Sequence, residues 1–327
     1  MMLPSRQRPL KLIGVPFDYC GRVYGSRLGP AAIRLAGLHE DLTSTGVQFE
    51  DANDLPIGPE ISEEGGLRNF APFMAMARKL SESVEAALDL DQCPIIFGGD
   101  HSIAIASVGA ALKHTQGDLA VLWIDAHADL NTVASSASGN LHGMSLGVLT
   151  GRPSGVEGLA DEQWKQLSSL FPIRLRRQNI AWIGLRDLDP FERDFLVETP
   201  NAYRITMQEV DRLGMPRVMD GLNAWLELTG CKNLWISFDV DALDPVYAPG
   251  TGTPSHGGLT YREAHLCAEM LFEFLHSPVC PYKLCGVDIV EDNPLQDNNN
   301  QTAQLAVQWL SSLMGKRIIN SGTGKSR

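Results

Sequence analysis

The chain lacks any run approaching the roughly 18 apolar residues of a membrane-spanning helix, and its start, MMLPSRQRPLKLIGVP, lacks the apolar stretch and small-residue cleavage site of a secretory leader. A cytoplasmic protein with no membrane partner is the expectation. Positive charge is short as well: 27 Lys and Arg stand against 39 Asp and Glu, for a net charge of −12 at pH 7. A basic face for nucleic acid or anionic lipid is therefore not expected, whereas a small-molecule partner is. The six cysteines (Cys20, Cys93, Cys231, Cys267, Cys280 and Cys285) include no CxxC pair. That removes a thiolate zinc site, and apolar neighbours such as Leu284 beside Cys285 predict reduced, buried thiols. No internal repeat or low-complexity tract is present.

What the chain does have is apolar material: 327 residues at 44% hydrophobic and 20% charged suffice for one large core. Length alone leaves the number of domains open. Short apolar runs recur at 11–16, 94–99, 119–124, 180–185, 233–238 and 283–290. Helical patterns lie between and around them, at Pro30–Leu42, Leu67–Leu90, Ser102–His114, Pro216–Thr229, Tyr261–His276 and Thr302–Met314. That alternation predicts an α/β fold whose mostly parallel sheet is covered on both faces. The glycine- and serine-rich segments 134–140 and 250–258 follow strands, so they read as loops over a site and not as linkers. A single domain over 1–327 is expected, with 321–327 as a frayed tail.

In an open α/β sheet, ligands bind beyond the carboxyl ends of the strands. The residues that follow the runs are Asp100-His101, Asp125-Ala126-His127-Ala128-Asp129, Arg186-Asp187-Leu188-Asp189, Asp239-Val240-Asp241 and Glu291-Asp292. Alternate residues of an extended chain point the same way, so Asp125, His127 and Asp129 can converge from one strand end, Asp239 and Asp241 from a second, and His101 from a third. A single DxD after a strand is commonly a helix cap or a turn, but five acidic strand ends together are not explained that way. Four crowded carboxylates need cations to neutralise them, and two divalent ions would balance four aspartates. Oxygen and imidazole ligands suit two Mn²⁺ and also accept Co²⁺, Ni²⁺ or Fe²⁺. Such a pair can hold a bridging water and lower its pKa toward neutrality, which predicts hydrolysis without naming the substrate.

With GGDHS at 98–102, DAHAD at 125–129 and SFDVDALDP at 237–245, the sequence resembles the ureohydrolases, the arginase and agmatinase family. The resemblance runs from GVPFDYCGRVYGSRLGPAAIRLAGL at 14–38 to DIVEDNP at 288–294. It implies a three-layer α/β/α sandwich around an eight-stranded sheet and a homo-oligomer, a trimer or hexamer. It also implies one ion on His101, Asp125, Asp129 and Asp239, and the other on Asp125, His127, Asp239 and Asp241, with Asp125 and Asp239 bridging.

The same resemblance implies roles around the metals. Asn131, Ser138 and Asn140 match the arginase loop N-x6-S-G-N-x-H-G and would hold the α-carboxylate of arginine; uncharged donors can do so without a competing cation beside the metals. Asp189 and Glu192 would meet the α-amino group, although Phe191 between them replaces a smaller residue common in that segment. Glu291 would hold the guanidinium, Thr253 would line the pocket, and His142 would shuttle protons near neutral pH, with Asp241 as a further proton-transfer group. The implied reaction is hydrolysis of L-arginine to L-ornithine and urea through a metal-bridging hydroxide. Two rivals remain: a ureohydrolase for agmatine or a guanidino acid, with the same metal centre, and a non-catalytic metal-binding relative. A single-zinc deacetylase of related fold would need a tandem His-His pair, which is absent.

Overall fold

The computed structural model describes residues 8–61, 65–199 and 201–317; the tail expected at 321–327 lies outside the described residues. The apolar runs form β1 (Leu10–Gly14), β3 (Cys93–Phe97), β4 (Ala120–Ile124), β5 (Ile180–Leu185), β7 (Asn233–Asp239) and β8 (Lys283–Val290), and two further strands are β2 (Phe49–Asp54) and β6 (Tyr203–Thr206). They make one sheet in the order β2-β1-β3-β8-β7-β4-β5-β6. Every pairing is parallel.

The helices are α1 (Gly29–Leu35), α2 (Leu38–Thr45), α3 (Phe70–Asp89), α4 (Ala104–His114), α5 (Ser145–Leu149), α6 (Leu159–Leu170), α7 (Pro190–Val197), α8 (Met207–Leu213), α9 (Met215–Thr229), α10 (Tyr261–Leu275) and α11 (Gln301–Leu313). Because side chains alternate along a strand, β4 sends Ala120, Leu122 and Ile124 to one face and Val121 and Trp123 to the other. The first face packs on α1, α2 and α8–α11, the second on α3–α7. Both faces being covered, the central strands are apolar throughout and read clearly in sequence. None of the described helices is long and apolar enough to cross a membrane, and all six cysteines are buried and outside any disulfide.

Register positions the site. Phe97, Ile289, Phe238, Ile124 and Ile183 form one row across β3, β8, β7, β4 and β5. Five strands thus end at nearly the same level, and the residues that follow meet above that row. The turn after β3 needs Gly98 and Gly99, both at positive φ (84° and 82°). A Cβ on Gly98 would lie 2.2 Å from Pro30, and one on Gly99 2.8 Å from the Phe17 carbonyl, so this approach admits only glycine.

Two helices differ from expectation. Pro30–Leu42 divides into α1 and α2 at Gly37, whose φ of 93° leaves the helical region. The helix expected from Leu67 starts at Phe70, because Asn69 sits at φ 51° and residues 67–69 bond elsewhere: Leu67 N–H donates to Gln163 Oε1 (2.6 Å) and Asn69 Nδ2 to the Tyr19 carbonyl (2.8 Å).

Candidate active site

His101 opens a short 3-10 turn at 101–103 that Asp100 caps through the Ser102 amide. Its ring stacks on Trp123 at 4.0 Å between centroids, and its Nε2 meets Ser237 Oγ at 2.9 Å. Nδ1 is thereby aimed at Oδ2 of Asp125, Asp129 and Asp239, each 3.1 Å away. One nitrogen cannot direct a single N–H at three oxygens, and this buried atom has no hydrogen bond of acceptable geometry. A nitrogen and three carboxylate oxygens facing one point is a ligand set for a cation.

A second cluster adjoins it. His127 Nδ1 lies 3.3 Å from Asp125 Oδ1 and 3.2 Å from Asp241 Oδ2. Asp125 therefore faces one cluster with each oxygen, which is how a bridging carboxylate is placed. His101, Asp125 and Asp239 form one group able to hold a metal, and Asp125, His127 and Asp241 form another. Asp239 reaches the first through Oδ2, while its Oδ1 accepts the Asp241 amide at 2.8 Å. Asp129 also joins the first, at φ 51°. The donors are oxygen and imidazole without thiolate, so they fit the expected pair of hard divalent ions.

Electrostatics agree. Burial, then the neighbouring Asp125, pushes the Asp129 carboxyl up to about 6. Burial together with Asp241 and Asp125 raises Asp239 well above the usual range, and burial also raises Asp241. Burial opposes ionisation of Asp125 too, but its contacts with His101 and His127 outweigh it and hold that group low. Without a cation the cluster must take up protons to relieve itself.

Beside the clusters opens a cavity of about 250 Å³. His101, His127, Asp129, Asp239 and Asp241 line its floor, and Asn131, Ser138, Asn140, His142, Asp189, Glu192 and Thr253 line its walls. Thr253 Oγ1 donates to Asp241 Oδ2 (2.9 Å). Glu291 stands behind the wall, nearly buried and at φ 64°. Its Oε1 takes the His101 amide (2.9 Å) and His142 Nδ1 (2.8 Å). This pairing changes one expectation: burial favours neutral His142, but the Glu291 charge overrides it and raises the imidazole to about 9, away from neutrality.

The outer residues are already engaged. Asn131 Nδ2 donates to Asp189 Oδ2 (2.8 Å) and its Oδ1 accepts from Ser135 (2.8 Å). Asp189 and Glu192 form the capping box of α7, in which Glu192 Oε2 accepts the Asp189 amide (3.1 Å) while Oε1 accepts the Leu130 amide (3.0 Å). Burial, only partly offset by those amides, lifts Glu192 to about 7. Ser138 is exposed and accepts the Asn140 amide (3.2 Å).

Three residues had no assigned part. Asp187 lines the cavity 3.8 Å from His127 Nε2; it stands two residues past β5, a position that could have marked it. Exposed Arg22 stands at the rim, and Arg68 donates through Nη1 to Asn140 Oδ1 at 2.7 Å. Arg22 lies on no periodic segment, Arg68 falls at the start of the helical pattern read over Leu67–Leu90, and neither is in a strand-end motif, so no local pattern marks either as a site residue.

Comparison with known proteins gives concordant matches. The arginase family model matches residues 8–315. An arginase of Staphylococcus aureus (strain MRSA252) is 38% identical over 320 residues, covering 96% of this chain and 100% of its own. The structure of arginase from Bacillus caldovelox is similar, with a TM-score of 0.85 at 38% identity over 96% of this chain and 100% of that one. That of Entamoeba histolytica arginase in complex with L-ornithine has a TM-score of 0.80 at 26% identity, over 95% and 99% of the two chains.

Proposed function

The chain belongs to the arginase family, and from that premise we propose that it hydrolyses L-arginine to L-ornithine and urea at a pair of Mn²⁺ ions. One observation carries the metal part: His101 Nδ1 faces three carboxylate oxygens at 3.1 Å each, next to a second cluster that shares Asp125. His101, Asp125, Asp129 and Asp239 would hold one ion, and Asp125, His127 and Asp241 the other, with Asp239 as the further ligand that the resemblance implies. Bound there, the ions would supply Lewis acidity that lowers a water's pKa toward neutrality.

The chain's own residues do the rest. Glu291 Oε1 is engaged by His101 and His142, which leaves Oε2 to accept from the planar guanidinium. Asp241, steadied by Thr253, takes the proton released as water adds to the guanidinium carbon. His142, charged below about pH 9, donates from Nε2 to the ornithine nitrogen as its bond to carbon breaks. Asn131, Ser138 and Asn140 hold the α-carboxylate, while Asp189 and Glu192 face the α-amino group. That the Entamoeba histolytica arginase structure is a complex with L-ornithine supports an amino acid as the bound species.

The protein acts in the cytoplasm as a homo-oligomer, trimer or hexamer, which sedimentation of the metal-loaded protein checks. The test of function is urea release from L-arginine, agmatine and 4-guanidinobutyrate at equal concentration, with a chelated control. Preference for L-arginine that disappears with the metal is expected. Preference for another guanidine overturns the pocket assignment, and no urea from any of them overturns the reaction.

A further inference from the structure

We infer that Arg68 is a positioning residue that selects guanidino substrates carrying a carboxylate, because its bond to Asn140 fixes which end of that amide faces the cavity. The inference rests on the reading of Asn140 as a carboxylate partner. Its geometry is independent of that reading.

An amide side chain offers an acceptor at one end and two donors at the other, and turning it over exchanges them. Guanidinium has donors only, so the Asn140 atom 2.7 Å from Arg68 Nη1 is the oxygen. Nδ2 is then directed the other way. Asn140 is 3% exposed and lines the cavity, and its backbone is held through its amide on Ser138 Oγ. The cavity accordingly meets a donor at this point. Without Arg68 the amide could turn and present Oδ1, which repels a carboxylate.

Arg68 is braced for this task. Leu67 N–H is held by Gln163, Asn69 Nδ2 by the Tyr19 carbonyl, and the Arg68 carbonyl accepts from Cys20 Sγ (3.7 Å). Cys20 in turn carries its amide to Asp100 Oδ2 (2.9 Å) and its carbonyl to the His142 amide (3.3 Å). The left-handed turn at Asn69 that stops α3 short thus places a cation behind the loop at 138–140. Charge gives a second reason for it. Outside the proposed metal ligands, whose charge bound ions would balance, Asp187, Asp189 and Glu192 line this cavity, a setting that favours a cationic group and opposes a carboxylate. A cation on the far side of Asn140 offsets that repulsion and polarises the amide toward the anion.

The experiment uses the full-length, manganese-loaded protein with Arg68→Met, Arg68→Lys, Asn140→Ala and the Arg68→Met/Asn140→Ala pair. L-arginine is compared with agmatine, read as KM where agmatine is turned over and as Ki against L-arginine where it is not. Arg68→Met should raise KM for L-arginine about tenfold, leave kcat within about twofold and leave agmatine unchanged. Arg68→Lys, which keeps the charge and a donor, should restore part of the loss and serves if the methionine variant fails to fold. The double variant should match Asn140→Ala alone, since Arg68 acts through that amide. Equal effects of Arg68→Met on both compounds, or none on either, overturn the inference when Asn140→Ala is selective. If Asn140→Ala itself weakens both alike, the carboxylate reading falls, and this inference with it.

Discussion

His142 and Glu291 show how the meaning of a residue depends on its partner. Alone, His142 would titrate near neutrality; 2.8 Å from Glu291 it stays protonated to about 9. The activity this proton supports should therefore fade on the alkaline side. Glu291→Gln removes the anion that favours imidazolium, so the alkaline limb of kcat should move to lower pH by roughly 1 unit, along with a weaker KM for L-arginine. An unmoved limb in a pH–rate series would assign that titration elsewhere. His142→Ala should cut kcat by about a hundredfold or more, with manganese content unchanged by elemental analysis. Asp129 and Glu291 also hold left-handed backbone, at φ 51° and 64°, a cost of about 1–3 kcal/mol each that the surrounding bonds must offset. For Asp129→Asn, manganese per chain after dialysis should fall below that of the unaltered protein. Equal content would remove Asp129 from the ligand set.

At the scale of elements, α7 has two jobs. Its capping box uses the same carboxylates that face the proposed amino group. The two can be separated, because glutamine also completes a capping box whereas alanine does not. Glu192→Ala should lose about 1 kcal/mol of stability and weaken L-arginine. Glu192→Gln should keep the melting temperature and weaken only the substrate; a melting temperature lowered equally by both would mean that the charge, not the cap, holds the helix. The sequence carries that start plainly, with Asp189 at the cap, Pro190 next and Glu192 third, yet no helix was expected there. Central strands were legible because burial on both faces makes them continuously apolar, and their ends carried the proposed metal ligands. Edge strand β2, with its polar FEDAND, and four-residue β6 were not, since neither is buried on both sides. Arg68 was hidden for another reason: Leu67–Asn69 suits a helix locally, and only bonds to Gln163 and Tyr19, distant in sequence, turn it aside.

For the whole molecule, five strand ends collect acidic groups into the point where the fold has least freedom to separate them, so occupation of the proposed metal sites would be linked to folding. An ion at a thousandfold excess over its Kd adds about 4 kcal/mol per site. Chelation should then lower the melting temperature by roughly ten degrees, as differential scanning calorimetry would read. The sign of the pH dependence follows from the metal-free groups. Asp129 is raised to about 6, Asp239 and Asp241 are raised, and against the opposing effect of burial His101 is held well above the ordinary imidazole value by Asp125, Asp129 and Asp239, and His127 by Asp241 and Asp125. A raised folded pKa means that the folded chain holds its proton more tightly than the unfolded one. The stability it contributes is present at low pH and lost as pH rises through the folded value. Asp125, held low, works in the opposite sense only as pH falls below the ordinary carboxylate range. Between about pH 5 and 9 the chelated protein should therefore lose stability as pH rises. The manganese-loaded protein should behave differently, because protons compete with the metal for these same ligands and higher pH strengthens binding. The gap between the two melting temperatures should widen from pH 5.5 to pH 8.5. A constant gap would mean that these carboxylates and imidazoles do not exchange protons for metal, and the assignment of both clusters would fall with it.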